Sequence, residues 1–247
     1  MTQSSKPYQA IDIGWLTLLG VSGTVIGLIL FDRALDLSVF ASGVLCVGLT
    51  AVGRREGYLI GLYNSVAYPI IAYENGLFGE VYLNLFFFLP TGIIGYLMWK
   101  RHSQDNAAVE MRRLSWRTRL LTAALCAFGL VALGYILSLN SQQNTPYIDA
   151  TTNVLSVVAT FLMMARYKEQ WLLYIALNAV TIFMWTLRYL GGGNAGDMMI
   201  LMWSLFFLNS IFGYWRWHVG AQSLATEEIE AVDKDIECRQ IEGAPTV

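Results

Sequence analysis

Charge is scarce in this sequence. Only 14% of its 247 residues are Asp, Glu, Lys or Arg, whereas 55% are hydrophobic and the mean hydropathy is +0.48. A soluble globular domain carries roughly a quarter charged residues. The composition therefore excludes an ordinary soluble protein and indicates a polytopic, all-α membrane protein.

Histidine and cysteine are also scarce, with two and three residues respectively. Cys46 and Cys126 lie in apolar stretches and Cys238 lies in the C-terminal tail, so neither a disulfide framework nor a metal site is predicted. The sequence contains no HExxH motif, nucleophile elbow or glycine-rich phosphate loop. His102 and His218 end apolar stretches, where we expect cationic anchors. No enzyme activity, cofactor or nucleic-acid partner is predicted.

The apolar residues are grouped in blocks of about 16 to 20, the length of helix that spans a bilayer. Eight spans are predicted, at residues 13–31, 37–52, 58–73, 81–99, 120–139, 148–165, 171–187 and 198–217. The first has only Lys6 before it and lacks a small-residue cleavage site, so we interpret it as a retained helix and not as a signal peptide. Small residues that would let a neighbouring helix approach closely recur along it: Gly14, Gly20, Gly23 and Gly27.

The basic residues predict the orientation. If the N-terminus lies inside, all of the 16 Lys and Arg residues except Arg33 and Arg188 fall on the inner side, which follows the positive-inside rule. Both termini are then cytoplasmic. The outer mouth is net acidic. This negative charge would concentrate a cationic solute, or it is simply what is left on the outer side once the basic residues lie inside. Its carboxylates are Asp32, Asp36, Glu74, Glu80, Asp149 and Asp197.

The chain also repeats itself. GYLIGLYN, ending at Asn64, resembles WLLYIALN, ending at Asn178, and FFFLPTGIIGYLMW, ending at Trp99, resembles SLFFLNSIFGYWRW, ending at Trp217. Spans two to four and six to eight are therefore predicted to form two three-helix repeats. Span five links them and keeps them parallel, about an axis along the membrane normal. Such paired bundles are typical of transporters, and the alternative is a duplicated scaffold without transport.

Five parts follow from this organisation. They are an N-terminal segment with an extra transmembrane helix (1–36), the first bundle (37–102), a connector and linker helix (103–146), the second bundle (147–218) and an acidic tail (219–247). The tail is expected to be poorly ordered.

The most informative stretch is WLLYIALNAVTIFMW, at residues 171–185. Polar and aromatic residues recur along it at spacings of three and four, which places them on one helix face: Trp171, Tyr174, Asn178, Thr181 and Trp185. Because an unsatisfied amide in hydrocarbon is costly, this face must meet protein or a water-filled cavity. We interpret it as a wall of a substrate site, with Asn178 as a polar contact and Trp185 as a stacking ring. The alternative is a helix–helix contact through Asn178, with the tryptophans as interface anchors.

Other spans carry residues at helical spacing that could line the same pathway. They are Asn64 and Tyr68 in the third span, Asn84, Phe88 and Thr91 in the fourth, Asn153 in the sixth, and Phe206 and Asn209 in the eighth. Pro69 must leave a carbonyl unpaired and kink its helix. Trp171 and Trp185 replace Gly57 and Ile71 of the first half, so a ring site is expected nearer the second bundle.

With these features the sequence resembles the PnuC family of bacterial nicotinamide riboside transporters. The resemblance covers about residues 12–218 and is carried by WLLYIALNAVTIFMW, by the two aromatic repeat segments and by their 3+1+3 arrangement. It implies a SWEET-like fold, to which the first span is an addition, and a homotrimer in the bacterial inner membrane. It also implies facilitated diffusion of nicotinamide riboside, which a separate cytoplasmic kinase would trap by phosphorylation. Thiamin or riboflavin carriage, or a non-transporting receptor or scaffold, are the alternatives.

The spans suit that chemistry. Near the middle of spans two to eight the sequence has no Asp, Glu, Lys, Arg or His, which favours a uniporter because ion-coupled carriers usually keep ionisable groups in their pathway. Trp and Tyr faces suit a cationic pyridinium ring. Asn side chains suit a carboxamide and ribose hydroxyls. A thiazolium or flavin ring would fit as well.

Overall fold

Long helices account for nearly all of the chain that the structure describes. It is a computed structural model and describes residues 6–31, 33–74, 78–103, 108–139, 145–191 and 196–242. The helices are α1 (Lys6–Leu30), α2 (Ala34–Ala51), α3 (Glu56–Glu74), α4 (Phe78–Leu83), α5 (Leu89–Arg101), α6 (Trp116–Ser138), α7 (Pro146–Met164), α8 (Gln170–Leu190) and α9 (Gly196–Glu242). A π-helical turn, Asn84–Phe88, joins α4 to α5. Within these ranges the only β-type pairing is an isolated bridge between Arg112 and Tyr167.

Each predicted span lies along a helix, and the prediction of an all-α membrane protein is confirmed. Among the described residues, six helical stretches are long and apolar enough to cross a bilayer: Tyr8–Leu30, Ala34–Ala51, Val81–Arg101, Trp116–Ser138, Pro146–Met164 and Gln170–Leu187. The predicted third and eighth spans lie in α3 and α9, outside this set. In α3, an asparagine and four tyrosines lower the hydropathy.

Helix α9 extends beyond the predicted eighth span. Its 47 residues run to Glu242 and correspond to a length of about 70 Å, whereas the hydrocarbon core is about 30 Å thick. The expectation of a poorly ordered tail is therefore wrong as far as Glu242. The reason is local, because residues 221–242 contain no Gly or Pro and are rich in Ala, Glu, Ile and Gln.

Helices α3 and α8 each pack against two neighbouring helices. Helix α3 packs against α2 and α5, and we call α2, α3 and α4–α5 the first bundle; α8 packs against α7 and α9, and we call α7, α8 and α9 the second bundle. The bundles meet where α2 contacts α9 and where α5 contacts α7. Each of these contacts joins the first helix of one bundle to the last helix of the other. Helix α6 lies against α7, and α1 lies against α2.

Residues 108–115, the connector, join both bundles at one end of the molecule, which we call the connector end. The Val109 amide donates to the Gly53 carbonyl beyond α2 (3.0 Å), and the Arg112 amide donates to the Arg166 carbonyl beyond α7 (2.8 Å). Gly53 and Arg166 both have left-handed backbones, with φ of 75° and 65°. This conformation commonly terminates a helix, so equivalent turns end α2 and α7.

The π-helical turn interrupts the fourth predicted span, which the sequence analysis treated as a regular helix. The Leu89 amide donates to the Asn84 carbonyl, five residues back, and Pro90 has no amide hydrogen to offer. The Asn84 side chain is buried. Turns of this kind are frequent at functional sites.

Helix α1 packs on α2 through glycines. A Cβ atom on Gly23 would lie 3.2 Å from Val44 Cγ1, and one on Gly27 would lie 2.5 Å from Leu37 Cδ1. The close approach predicted from the glycines is confirmed at these two positions. A Cβ atom on Gly14 would meet no atom within 4 Å, so Gly14 does not take part.

Helix α1 also contacts α9 near the connector end. The buried Arg216 guanidinium donates to both carboxylate oxygens of Asp12, at 2.8 and 3.1 Å. The rings of Trp15 and Phe212 stack at 4.3 Å. Helix α1 therefore bridges α2 of the first bundle and α9 of the second.

Candidate functional site

Asn178 lies on α8 and faces α9. Its side chain is 3% exposed, and its Nδ2 donates to the Ser210 hydroxyl at 3.0 Å. That hydroxyl in turn donates to the Phe206 carbonyl at 2.8 Å. The amide that the sequence analysis singled out is thus oriented by the neighbouring helix of its own bundle.

The rest of the polar stripe follows the same face of α8. Trp171 and Thr181 are buried, whereas Tyr174 and Trp185 are half-buried. The Trp171 ring lies so close to Gly213 of α9 that a Cβ atom there would be 2.7 Å from it. Thr181 donates to the Leu177 carbonyl of its own helix (2.9 Å). The stripe is therefore a protein-facing surface and not a lipid-facing one.

Asn64, the repeat partner of Asn178, uses a different neighbour. Its Nδ2 donates to the Val39 carbonyl (2.8 Å) and to the Ser42 hydroxyl (3.0 Å), both on α2. In the aligned repeats Gly92 stands where Ser210 stands, so α5 offers Asn64 no hydroxyl at that position. One side-chain difference thus directs two aligned amides to opposite neighbours within their bundles.

Asn64 of one bundle and Phe206 of the other approach the same point of α2. Both lie beside Gly43 of α2, where a Cβ atom would be 3.5 Å from Asn64 Nδ2 and 3.7 Å from Phe206 Cζ. Phe206 therefore links the two amides, because its ring adjoins the surroundings of Asn64 and its carbonyl accepts from the hydroxyl that holds Asn178.

Asn209 lies at a three-helix joint. Its Nδ2 donates to the Val47 carbonyl of α2 (2.9 Å), and its Oδ1 accepts from Trp15 Nε1 of α1 (3.0 Å). The side chain is 1% exposed. Both polar atoms of this candidate therefore take part in contacts that hold α9 to α1 and α2.

Two of the remaining candidates make hydrogen bonds to carbonyls four residues earlier in the chain. Thr91 donates to the Phe87 carbonyl (2.6 Å), and Asn153 donates to the Asp149 carbonyl (2.7 Å). The others lie on α3 and along the π-helical turn with intermediate or low exposure; they are Tyr68, Asn84 and Phe88.

A chain of four buried rings at the connector end escaped the sequence analysis in part. Successive centroids from Tyr58 to Trp99, Trp217 and Trp171 lie 5.1, 5.7 and 6.2 Å apart. Trp99 and Trp217 are fully buried. Their repeated Gly-Tyr-x-x-Trp motif was the available signal, but a repeat by itself does not predict that the two tryptophan rings meet.

The glycines of that motif make room for the rings. A Cβ atom on Gly95 would clash with the Tyr58 ring, as one on Gly213 would clash with Trp171. The two bundles therefore use the same device, in which an aromatic ring from the middle helix lies on a glycine of the last helix.

Charged groups surround the connector end. Lys168 is buried, and its Nζ lies 2.7 Å from His218 Nδ1. Burial lowers the pKa of Lys168, nearby Glu169 raises it, and Arg119 and Arg113 lower it further. Glu169 is itself held by Arg119 (2.7 Å). His218 thus lies beside a buried lysine whose neighbours are charged. In the described part of the chain, no three His, Cys, Asp or Glu residues group as metal ligands would.

The paired bundles correspond to a known family. The family model described as "Nicotinamide mononucleotide transporter" matches residues 33–219, which include both bundles and the connector but not α1. The chain belongs to this family. The family is one of transporters and not of enzymes, as the sequence predicts.

Several relatives of the family are named nicotinamide riboside transporter PnuC. This chain is 33% identical to the one from Neisseria mucosa over 182 residues (71% of this chain, 68% of the relative) and 30% identical to the one from Haemophilus influenzae over 215 residues (86% and 90%). It is also similar to a crystal structure of the vitamin B3 transporter PnuC, with a TM-score of 0.73 and 30% identity over 86% of this chain and 92% of that one. The resemblance predicted from the sequence is confirmed.

Proposed function

We propose that this protein carries nicotinamide riboside across the membrane by facilitated diffusion, between its two bundles. The observation that carries the proposal is the pair Asn64 and Asn178, one amide on the middle helix of each bundle, joined through Phe206. The relatives named as riboside transporters support the same substrate.

The charge of the pathway favours the riboside over the mononucleotide that the family description mentions. The mononucleotide carries a phosphate, and a phosphate needs a cationic partner when it leaves water. No Lys, Arg or His occurs at residues 37–53, 56–74, 78–99, 146–165, 170–187 or 199–215. The riboside needs no such partner, because its pyridinium cation can rest on aromatic faces.

We assign the polar contacts of the substrate chiefly to Asn178 and Asn64. An asparagine amide can both donate to and accept from a carboxamide or a ribose hydroxyl. The aromatic contacts fall to Phe206 and to the half-buried Trp185 and Tyr174. Trp171 and Thr181 complete the α8 face, while Tyr68, Asn84, Phe88, Thr91 and Asn153 are proposed to line the path. Asn209 has a different role in this proposal, as the joint between α9, α2 and α1.

The orientation, assembly and energetics also belong to the proposal. The connector end carries most of the basic residues, so it is assigned to the cytoplasm. The contacts of α2 with α9 and of α5 with α7 support a SWEET-like 3+1+3 arrangement. A homotrimer in the bacterial inner membrane, with trapping of the riboside by a cytoplasmic kinase, follows from the resemblance.

Equilibrium binding to the detergent-purified protein tests the substrate. The panel is nicotinamide riboside, its mononucleotide, thiamin and riboflavin, measured by calorimetry and by tryptophan fluorescence. Selective binding of the riboside is the expected result. Selective binding of thiamin or riboflavin would move the chain to another substrate, and binding without flux into liposomes would favour a receptor.

Uptake by cells or liposomes that contain the kinase and ATP tests the uniport mechanism. Collapsing the proton gradient should leave riboside uptake unchanged, because the middle of the pathway has no Asp, Glu, Lys, Arg or His to couple to it. A strict requirement for the gradient would refute uniport while leaving the substrate assignment intact.

A further inference from the structure

Among the residues that the structure describes, two polar atoms in the chain of four rings have no hydrogen-bond partner. They are the Tyr58 hydroxyl and Trp171 Nε1, in residues that are 6% and 2% exposed. Tyr58 lies in the first turn of α3 and Trp171 lies in the first turn of α8. The two unpaired groups thus both lie at the start of the middle helix of their bundle, although the aligned repeats pair Trp171 with Gly57.

The two rings between them are satisfied. Trp99 Nε1 donates to the Met163 carbonyl at the end of α7 (2.9 Å), and Trp217 Nε1 donates to the Ala51 carbonyl at the end of α2 (3.0 Å). Leaving a buried donor unpaired is costly, and most buried donors in proteins find a partner. The inner two rings, Trp99 and Trp217, therefore hold the bundles together. The outer two, Tyr58 and Trp171, keep polar atoms that have no partner among the described residues.

We propose that Tyr58 and Trp171 form a second substrate contact, on the connector side of Asn178. The site would take a cationic aromatic ring that carries hydroxyl or carboxamide acceptors, which the Tyr58 hydroxyl and Trp171 Nε1 would bind. Seven residues separate Trp171 from Asn178, a distance of about 10 Å along α8. This inference rests on the proposed function, and it describes a station that the substrate reaches after the Asn178 level.

The ring faces suit such a substrate. A flat cation can rest on the face of an aromatic ring, and such a face becomes accessible here once the hydrogen bonds that Trp99 and Trp217 donate between the bundles open. Tyr58 and Trp171 come from different bundles, so a substrate bound to both would be held only while the bundles are suitably placed. The station therefore belongs to the translocation step and not to first binding.

Tyr58→Phe is the test, because it removes the unpaired hydroxyl and keeps the ring. The variant should unfold at the same temperature as the native protein or higher, since no hydrogen bond of the resting structure is lost. Its riboside flux into liposomes should fall by about tenfold, with equilibrium affinity at the Asn178 level unchanged. Trp171→Phe removes the second donor and should lower flux in the same way.

Trp217→Phe is the matched control, because it removes a donor that the structure does use. It should lower the unfolding temperature, which Tyr58→Phe should not. Native flux in Tyr58→Phe would overturn this inference and leave the proposed function standing. If the unfolding temperature also fell, the Tyr58 hydroxyl would hold a structural water instead of the substrate. If the native protein itself neither binds nor carries any of the four solutes, the proposed function fails, and this inference fails with it.

Discussion

Trp99 and Trp217 cross between the bundles in opposite directions. Each comes from the last helix of one bundle and donates its indole hydrogen to the carbonyl that ends the first helix of the other, Met163 for Trp99 and Ala51 for Trp217. Their rings also touch, at 5.7 Å between centroids. Separating the two bundles at the connector end would break both hydrogen bonds, so this pair holds the bundles together there.

Replacing Gly213 by alanine should destabilise the protein. The new Cβ would lie 2.7 Å from the Trp171 ring, and overpacking of this kind costs about 1–3 kcal/mol. Thermal unfolding in detergent, followed by tryptophan fluorescence, measures the effect. Gly14→Ala is the control, because its Cβ meets nothing within 4 Å and alanine should stabilise the helix by about 0.5–1 kcal/mol. Equal shifts in the two variants would contradict the packing at Gly213.

Asn178→Leu should abolish riboside binding, with a loss of more than about tenfold in affinity, and leave the protein in the membrane. The substitution removes an amide that Ser210 orients at 3.0 Å. Ser210→Ala should weaken binding to a smaller degree, since the amide remains but loses its support. Ser204→Ala is the matched control, because the Ser204 hydroxyl donates only to its own helix at Ile200 (2.7 Å). Unchanged affinity in Asn178→Leu would make this asparagine a helix–helix contact.

Asp12→Leu should destabilise the attachment of α1. It leaves the Arg216 guanidinium buried without its carboxylate, and breaking a buried pair on one side costs about 3–5 kcal/mol. Glu74→Gln is the comparison, because it breaks the exposed Arg33–Glu74 pair, and exposed pairs contribute little. Chemical unfolding should therefore shift strongly for Asp12→Leu and hardly for Glu74→Gln. Equal shifts would mean that α1 is not anchored through Asp12.

The stability of the native protein should rise with pH as Lys168 loses its proton. Burial lowers the pKa of Lys168 below the ordinary value of 10.5. Between the lowered pKa and 10.5 the unfolded chain binds more protons than the folded one, so the free energy of unfolding increases across this window. Unfolding temperatures measured from neutral pH to 10.5 test this. The increase should be smaller in Lys168→Met, and an identical profile in the variant would assign the effect to another group.

The local chemistry of the chain accounts for the class, the helices and the family. Blocks of apolar residues predict spans because the free energy of transferring a helix from water to lipid depends on the residues of that helix alone. The burial of Asn178 also follows locally, since an amide in such a block must face protein. The π-helical turn at Asn84 was missed, because Pro90 predicts an interruption without specifying its form.

What the sequence determined by itself is therefore the membrane-spanning, all-helical character, the duplication and the faces of α8 and α3 that must lie inward. Only the tertiary structure decided which neighbour each of these faces meets. Asn178 pairs with Ser210, Asn64 pairs with α2, and Asn209 pairs with Trp15, far away in the chain. The physical reason is that hydropathy depends on residues within one helix, whereas a hydrogen bond between helices depends on which backbones and side chains approach each other in the packed bundle.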